Sequence, residues 1–264
     1  MTESPTREPI YYQDRGSGPT LLLVHGGFAD GTMSWGAQMA ALRGRRRLLV
    51  VDRRGHGRSP HEPRPYTISG DAEDALEAAT RAGAEGFHLV GHSYGALVAL
   101  EMIRYAPQRV RSLHLIEPPY LTLLPDDPDV QQLIAGADIL VRHVAEWPPE
   151  RTATHFFELL LGPEATREMR ARPLWSAVVH EARRAVHEQP APDYPASKLP
   201  GLTVGVPTLL YTGGRSHPGL QKVARRLADL LPGARLITIP EAGHVVQRSI
   251  EPFHRVLLEV TDTP

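Results

Sequence analysis

The chain contains no cysteine. Disulfides, thiolate nucleophiles and cysteine-ligated zinc are therefore excluded together. Lysine is almost as scarce: of 29 basic residues only Lys198 and Lys222 are lysine, and 30 acidic residues balance the set to a net charge of −1. A chain balanced in this way carries no electrostatic footprint for nucleic acid. Aromatic residues make up only 6%, and no apolar run approaches the ~20 residues of a membrane-spanning helix. The stretch from Met1 to Pro9 is polar and lacks the apolar core of a secretory signal, so a soluble cytoplasmic protein without membrane contact is expected. The short basic run Arg45-Arg46-Arg47 reads as a solvated loop before a strand. Repeats and low-complexity segments are absent, and 264 residues suffice for one large core with a covering insertion.

What is present centres on Phe87 to Leu100. An apolar run leads into Gly91-His92-Ser93-Tyr94-Gly95, and a second apolar run with helical spacing follows: strand, sharp turn, helix. A serine at such a turn tolerates its strained backbone when the residues two before and two after it lack side chains, as Gly91 and Gly95 do. Its hydroxyl then stands clear of the sheet at a helix N-terminus, where the Tyr94 N–H is free to face an oxyanion.

Buried parallel strands read as continuous apolar runs. Such runs appear at Thr20 to Val24, Leu48 to Asp52 and Phe87 onward; Val110 to Ile116, Pro207 to Thr212 and Arg235 to Ile239 read as further strands, with a shorter strand at Ile10 to Gln13. Helical spacing marks Trp35 to Leu42, Ser69 to Arg81 with Ser69 at its start, Leu220 to Leu231 and Glu251 to Val260. Strands alternating with helices predict an α/β fold, a mostly parallel sheet with helices on both faces. The alternation stops between Glu117 and about Pro200. There three apolar helical faces appear: Val130, Leu133, Ile134, Ala137, Val141 and Val144; Ala153, Phe156, Phe157, Leu160 and Leu161; Trp175, Val178, Val179, Ala182 and Val186. The expected organisation is a core of residues 1–117 and 201–264, with 118–200 a helical lid over the strand ends.

Ligands bind such sheets at the carboxyl ends of the strands. Gly27, Ser93, Glu117 and His244 all fall there. A serine hydroxyl needs an imidazole to take its proton, and the imidazole needs a carboxylate on its other nitrogen. Ser93 is therefore the candidate nucleophile and His244, behind Gly243 after the last strand, the candidate base. Glycines after Val24 let the backbone approach a ligand, so Gly27 is the favoured second oxyanion donor, with the Phe28 amide as the alternative. His25 and the turn Asp52-Arg53-Arg54-Gly55-His56-Gly57-Arg58-Ser59 read as structural hydrogen-bonders.

His25-Gly26-Gly27, the Asp52 to Ser59 turn, Gly91-His92-Ser93-Tyr94-Gly95 and Gly243-His244 together resemble the α/β-hydrolase superfamily. The resemblance implies Ser93 as nucleophile, His244 as general base and the Gly27 and Tyr94 amides as oxyanion hole. It implies a catalytic acid three residues past the glycine after the Pro207 to Thr212 strand, where only Ser216 stands. Glu117 ends the strand after the nucleophile helix, the acid position of haloalkane dehalogenases and of the zearalenone lactonases, and is taken as the orienting acid. Serine rather than aspartate in the Gly-x-Ser-x-Gly turn argues for acyl transfer from a small, largely apolar ester or lactone. Carbon–carbon bond hydrolysis with the same residues and a weakly hydrolytic ligand-sensing scaffold are the competing readings. No cofactor or metal is expected: His180-Glu181-Ala182-Arg183-Arg184 has arginine where a zinc motif needs its second histidine.

Overall fold

The computed structural model describes residues 7–61, 66–184, 187–199, 202 and 204–262. Met1 to Thr6, the apolar position Val186 and the boundary residues Pro200 and Gly201 lie outside them. Seven strands form one sheet among the described residues: β1 (Tyr12–Arg15), β2 (Thr20–Val24), β3 (Arg47–Val51), β4 (Phe87–His92), β5 (Val110–Ile116), β6 (Thr208–Gly213) and β7 (Arg235–Ile239), in the order β1-β3-β2-β4-β5-β6-β7. Only β1 pairs antiparallel. The sheet is thus the mostly parallel one that the apolar runs predict, and β2, β5 and β7 match the predicted limits. The first strand begins later than expected: its pairing with β3 starts at Tyr12, opposite Val51, while Ile10 is buried in the core ahead of it.

The period-two alternation of strand side chains sorts the core into two layers. Leu22, Val24, Leu89 and Leu115 pack with α2 (Ile68–Arg81), α3 (Tyr94–Tyr105) and α8 (Pro218–Leu230). Leu21, Leu23, Val90 and Ile116 face the other way, against α1 (Gly31–Leu42) and α9 (Ile250–Thr261). Helix α1 starts four residues before Trp35, where the Asp30 side chain accepts from the Met33 N–H at 2.7 Å. Thr67, not Ser69, caps α2. Arg46 departs from the solvated reading: its side chain is buried and binds Thr261 Oγ1 at 3.0 Å and Asp262 at the end of α9.

Between β5 and β6 lie α4 (Pro128–His143), α5 (Pro149–Leu161), α6 (Pro163–Arg170) and α7 (Trp175–Ala182). Helix α6 has no counterpart in the apolar pattern. Pro163 reads as a breaker, but proline at a first helical position lacks only an N–H that would go unpaired anyway. Phe157, Trp175, Val178 and Ala182 form a third cluster that closes on Phe28, tying this insertion to the loop after β2.

The sheet also buries a polar chain. His88 Nδ1 lies 2.7 Å from Ser112 Oγ, which lies 2.9 Å from His114 Nε2, and His114 Nδ1 lies 2.8 Å from the Tyr211 hydroxyl. Burial pushes His88 down to about 4 and His114 down to about 3. Both are neutral when folded, while the unfolded chain protonates them near 6.5. The unfolded state therefore holds more protons over the acid side of that value, and stability is lost as pH falls. Each histidine contributes a slope of about 1.4 kcal/mol per pH unit in its window. Between pH 6 and pH 4.5 the melting temperature of the His88→Gln/His114→Gln double variant is expected to fall less than that of the parent, by scanning calorimetry. Equal slopes would contradict this account.

Candidate active site

Strand β4 delivers Ser93 to the start of α3 with φ 53° and ψ −123°. A side chain on Gly91 would lie 2.7 Å from Ala96 Cα, and one on Gly95 would lie 2.8 Å from the Val24 carbonyl carbon. Any residue but glycine at either place would push the helix off the strand. Among the described residues three that are not glycine adopt positive φ: Phe28, Ser93 and Glu117. All three follow central strands at the carboxyl end of the sheet. Strain of this kind persists only where surrounding structure imposes it.

Glu117, fully buried, has a carboxylate with four donors around it. Oε1 accepts from Thr212 Oγ1 and the Gly213 N–H, each at 2.8 Å; Oε2 accepts from Ser216 Oγ at 2.5 Å and His244 Nδ1 at 2.7 Å. The Nδ1 contact leaves His244 Nε2 as the free ring nitrogen. Ser216, at the place where the resemblance calls for an acid, instead donates to Glu117 at the end of the neighbouring strand. His92 Nε2–H donates to the His244 carbonyl at 3.1 Å and so holds the loop that carries His244. Burial first, and then the neighbouring His244, hold His92 well below the usual histidine range, so it stays neutral.

Ser93 and His244 line two clefts, a larger and a smaller, which share Gly27, Phe28 and Phe156. The Ser93 hydroxyl and His244 are not hydrogen-bonded to each other, a contact that often closes only when substrate binds. The N–H groups of Gly27, Phe28 and Tyr94 have no backbone partner among the described residues. The larger cleft is walled by apolar residues of the insertion, including Leu140, Phe156, Leu159 and Leu160. Phe28 and Phe156 stack between the two clefts with ring centroids 4.2 Å apart.

The sequence of residues 19–248 matches the family model of the alpha/beta hydrolase fold. The chain belongs to the alpha/beta hydrolase fold family. Within that family it is 28% identical to a protein of Pseudomonas savastanoi pv. phaseolicola named for carbamate hydrolysis, RutD, over 90% of this chain and 92% of that one. A RutD of Azorhizobium caulinodans is 35% identical, but over only 40% of each chain. The chain also matches 22% of the length of bifunctional epoxide hydrolase 2 of Sus scrofa. Among solved structures, a hydrolase of Pseudomonas aeruginosa PA01 superposes with a TM-score of 0.73 at 26% identity, covering 94% of this chain and 92% of that one. An esterase of Thermogutta terrifontis superposes at 0.71 with 24% identity, covering 96% and 94%, a likeness of fold. Among the described residues of this family member, no helix is long and apolar enough to cross a membrane.

The Asp52 to Ser59 turn is structural, as its composition suggests, but it does more than close a loop. Asp52 accepts from the Gly31 N–H at 2.9 Å and the Arg58 N–H at 3.0 Å, and Arg53 and His56 reach carboxylates of the insertion. His25, buried beside them, donates from Nδ1 to the Gly26 carbonyl at 2.8 Å and accepts the Arg53 N–H on Nε2 at 2.9 Å. Glu181, met in the sequence only inside an incomplete zinc motif, binds His56 Nδ1 at 2.9 Å. No sequence pattern pointed to Glu188 or to this use of Glu181. Their partners lie 125 to 135 residues away.

Proposed function

We propose that the chain is a serine hydrolase that cleaves a carboxylic ester or lactone through an acyl-Ser93 intermediate. The observation that carries this reading is the 2.7 Å contact between His244 Nδ1 and buried Glu117, made beside a strained serine in an apolar cleft. Ser93 Oγ attacks the carbonyl carbon while His244 Nε2 takes its proton, and Glu117 stabilises the resulting imidazolium. The amides of Tyr94 and Gly27 receive the oxyanion. Collapse breaks the bond to the leaving oxygen, which takes the proton from His244. Water then adds to the acyl carbon as His244 takes its proton; collapse breaks the bond to Ser93 Oγ, which recovers its proton from His244, and the acid is released.

The segment 118–200 acts as the lid in this reading, since α4 and α5 wall the larger cleft. Acyl-chain preference tests it. The kcat/KM for p-nitrophenyl esters is expected to rise at least about tenfold from acetate to hexanoate, at roughly 0.8 kcal/mol per buried methylene. A flat profile would remove the cleft as an acyl site. The full-length likeness to a protein named for carbamate hydrolysis favours aryl carbamates as a second substrate class, to be assayed in the same series.

A further inference from the structure

Among the described residues, one carboxylate lines the larger cleft. Glu188 enters it from the insertion, and its Oε1 accepts from Arg53 Nη2 at 2.6 Å and from His56 Nε2 at 3.0 Å. Its Oε2 has no hydrogen-bond partner among the described residues, and a side chain on Gly27 would find that oxygen 3.8 Å away. The free acceptor therefore stands next to the loop that supplies the proposed oxyanion amide. Its position is fixed by a shared atom: Arg53 Nη2 also donates to the Gly26 carbonyl at 3.1 Å, and Arg53 Nε donates to the His25 carbonyl at 3.1 Å.

The electrostatics keep this oxygen an acceptor. Arg53 and His56 hold the Glu188 carboxyl well below the usual range, against the opposing effect of burial. His56 carries a carboxylate on each ring nitrogen, Glu181 at 2.9 Å and Glu188 at 3.0 Å, so both nitrogens donate and the ring is an imidazolium. Arg53 also pairs with Asp71 Oδ2 at 2.8 Å and His56 with Glu181, so the two cations are shared among three carboxylates, and Oε2 stays an acceptor for a donor group, neutral or charged. Around it the wall is apolar, with Phe28, Phe156 and Leu160. An acceptor left bare in such a place is matched by a ligand group that covers it.

We infer that Glu188 determines specificity, its Oε2 receiving a hydrogen bond from a hydroxyl or N–H group on the substrate, one to three bonds from the scissile carbonyl. This rests on the serine hydrolase reading and narrows its substrate class to donor-bearing acyl groups, such as hydroxyacyl or aminoacyl derivatives. A polar site of this kind rejects the analogue that lacks the donor more strongly than an apolar pocket rejects an extra methyl group.

The test uses a matched pair, p-nitrophenyl 3-hydroxybutanoate and 3-methylbutanoate, each hydroxy enantiomer separately, with rates normalised to alkaline hydrolysis. The parent chain is expected to prefer the better hydroxy enantiomer by at least tenfold in kcat/KM. In Glu188→Gln, oxygen can still face Arg53 and His56 while an amide NH₂ replaces Oε2, and the preference is expected to fall at least tenfold. Equal losses on both substrates would mean that Glu188 only braces the insertion, and overturn the inference. A second arm needs no turnover. In Ser93→Ala, calorimetry compares the two arylmethyl ketones in which CH₂ replaces the ester oxygen. The hydroxy ketone is expected to bind at least fivefold tighter, and Glu188→Gln in the same background to erase the difference. Equal affinity, or no binding of either ketone, overturns the inference. Ketone discrimination without hydrolysis of either ester would sink the hydrolase reading alone.

Discussion

Replacing Ser93 by alanine is expected to lower kcat/KM on p-nitrophenyl esters by about 10⁴ to 10⁶-fold, the loss found when a nucleophile that acts as a unit with its base is removed. The fold should not register the change. The left-handed backbone at Ser93 is imposed by the close passage of Gly91 and Gly95 against α3 and β2, and alanine inherits the same strain. Ser93 also makes no side-chain cap to its helix, so no stabilising bond is lost with the hydroxyl. A fluorophosphonate probe should label the parent at Ser93 and leave the variant unlabelled, with melting temperatures within a few degrees. Persistent labelling elsewhere in the variant would show that another residue does the chemistry.

Glu117→Gln is the second large effect. Four donors converge on the carboxylate, two on each oxygen. A glutamine has one acceptor oxygen, so either orientation turns an NH₂ toward donors. If the NH₂ faces His244, the imidazole must present Nε2–H to Ser93 and cannot act as base. The expected fall in kcat is about 10³ to 10⁴-fold, together with a stability loss of about 1–3 kcal/mol from the conflicting buried donors. Ser216→Ala removes one of the two bonds to Oε2. With the 2.5 Å contact known, a roughly tenfold loss follows, the worth of one hydrogen bond to a charged group. Steady-state kinetics and denaturation of both variants check this pair; a Glu117→Gln enzyme within tenfold of the parent would remove Glu117 from the mechanism.

The elements legible in the sequence are those with a local signal. A buried parallel strand reads as an apolar run, so β2 could be delimited from its five residues; β5 and β7 carry polar residues, and their limits follow from the alternation of strands with helices. Ser93 announced itself through flanking glycines, and Glu117 and His244 through their places at strand ends. What escaped is what depends on distant partners. Arg46 looks like part of an exposed basic run until the end of α9 comes to rest on it. The face drawn through α4 divides in the structure, with Val130 and Leu133 in the main core and Val141 in the wall of the cleft while half exposed. Periodicity shows that a face is apolar, not what covers it. Glu188 lies in a proline-rich stretch with no periodicity at all, and its meaning comes wholly from Arg53, His56 and Gly27.

The stacked pair Phe28 and Phe156 divides the space over Ser93 into two compartments, each reaching both Ser93 and His244. For the proposed two-step reaction this arrangement would provide separate doors: the departing alcohol drains from one side while the acyl group stays anchored on the other, and the incoming water follows the vacated route. Removing that aromatic partition would then merge entrance with exit and trade ordered turnover for leakage between the two steps.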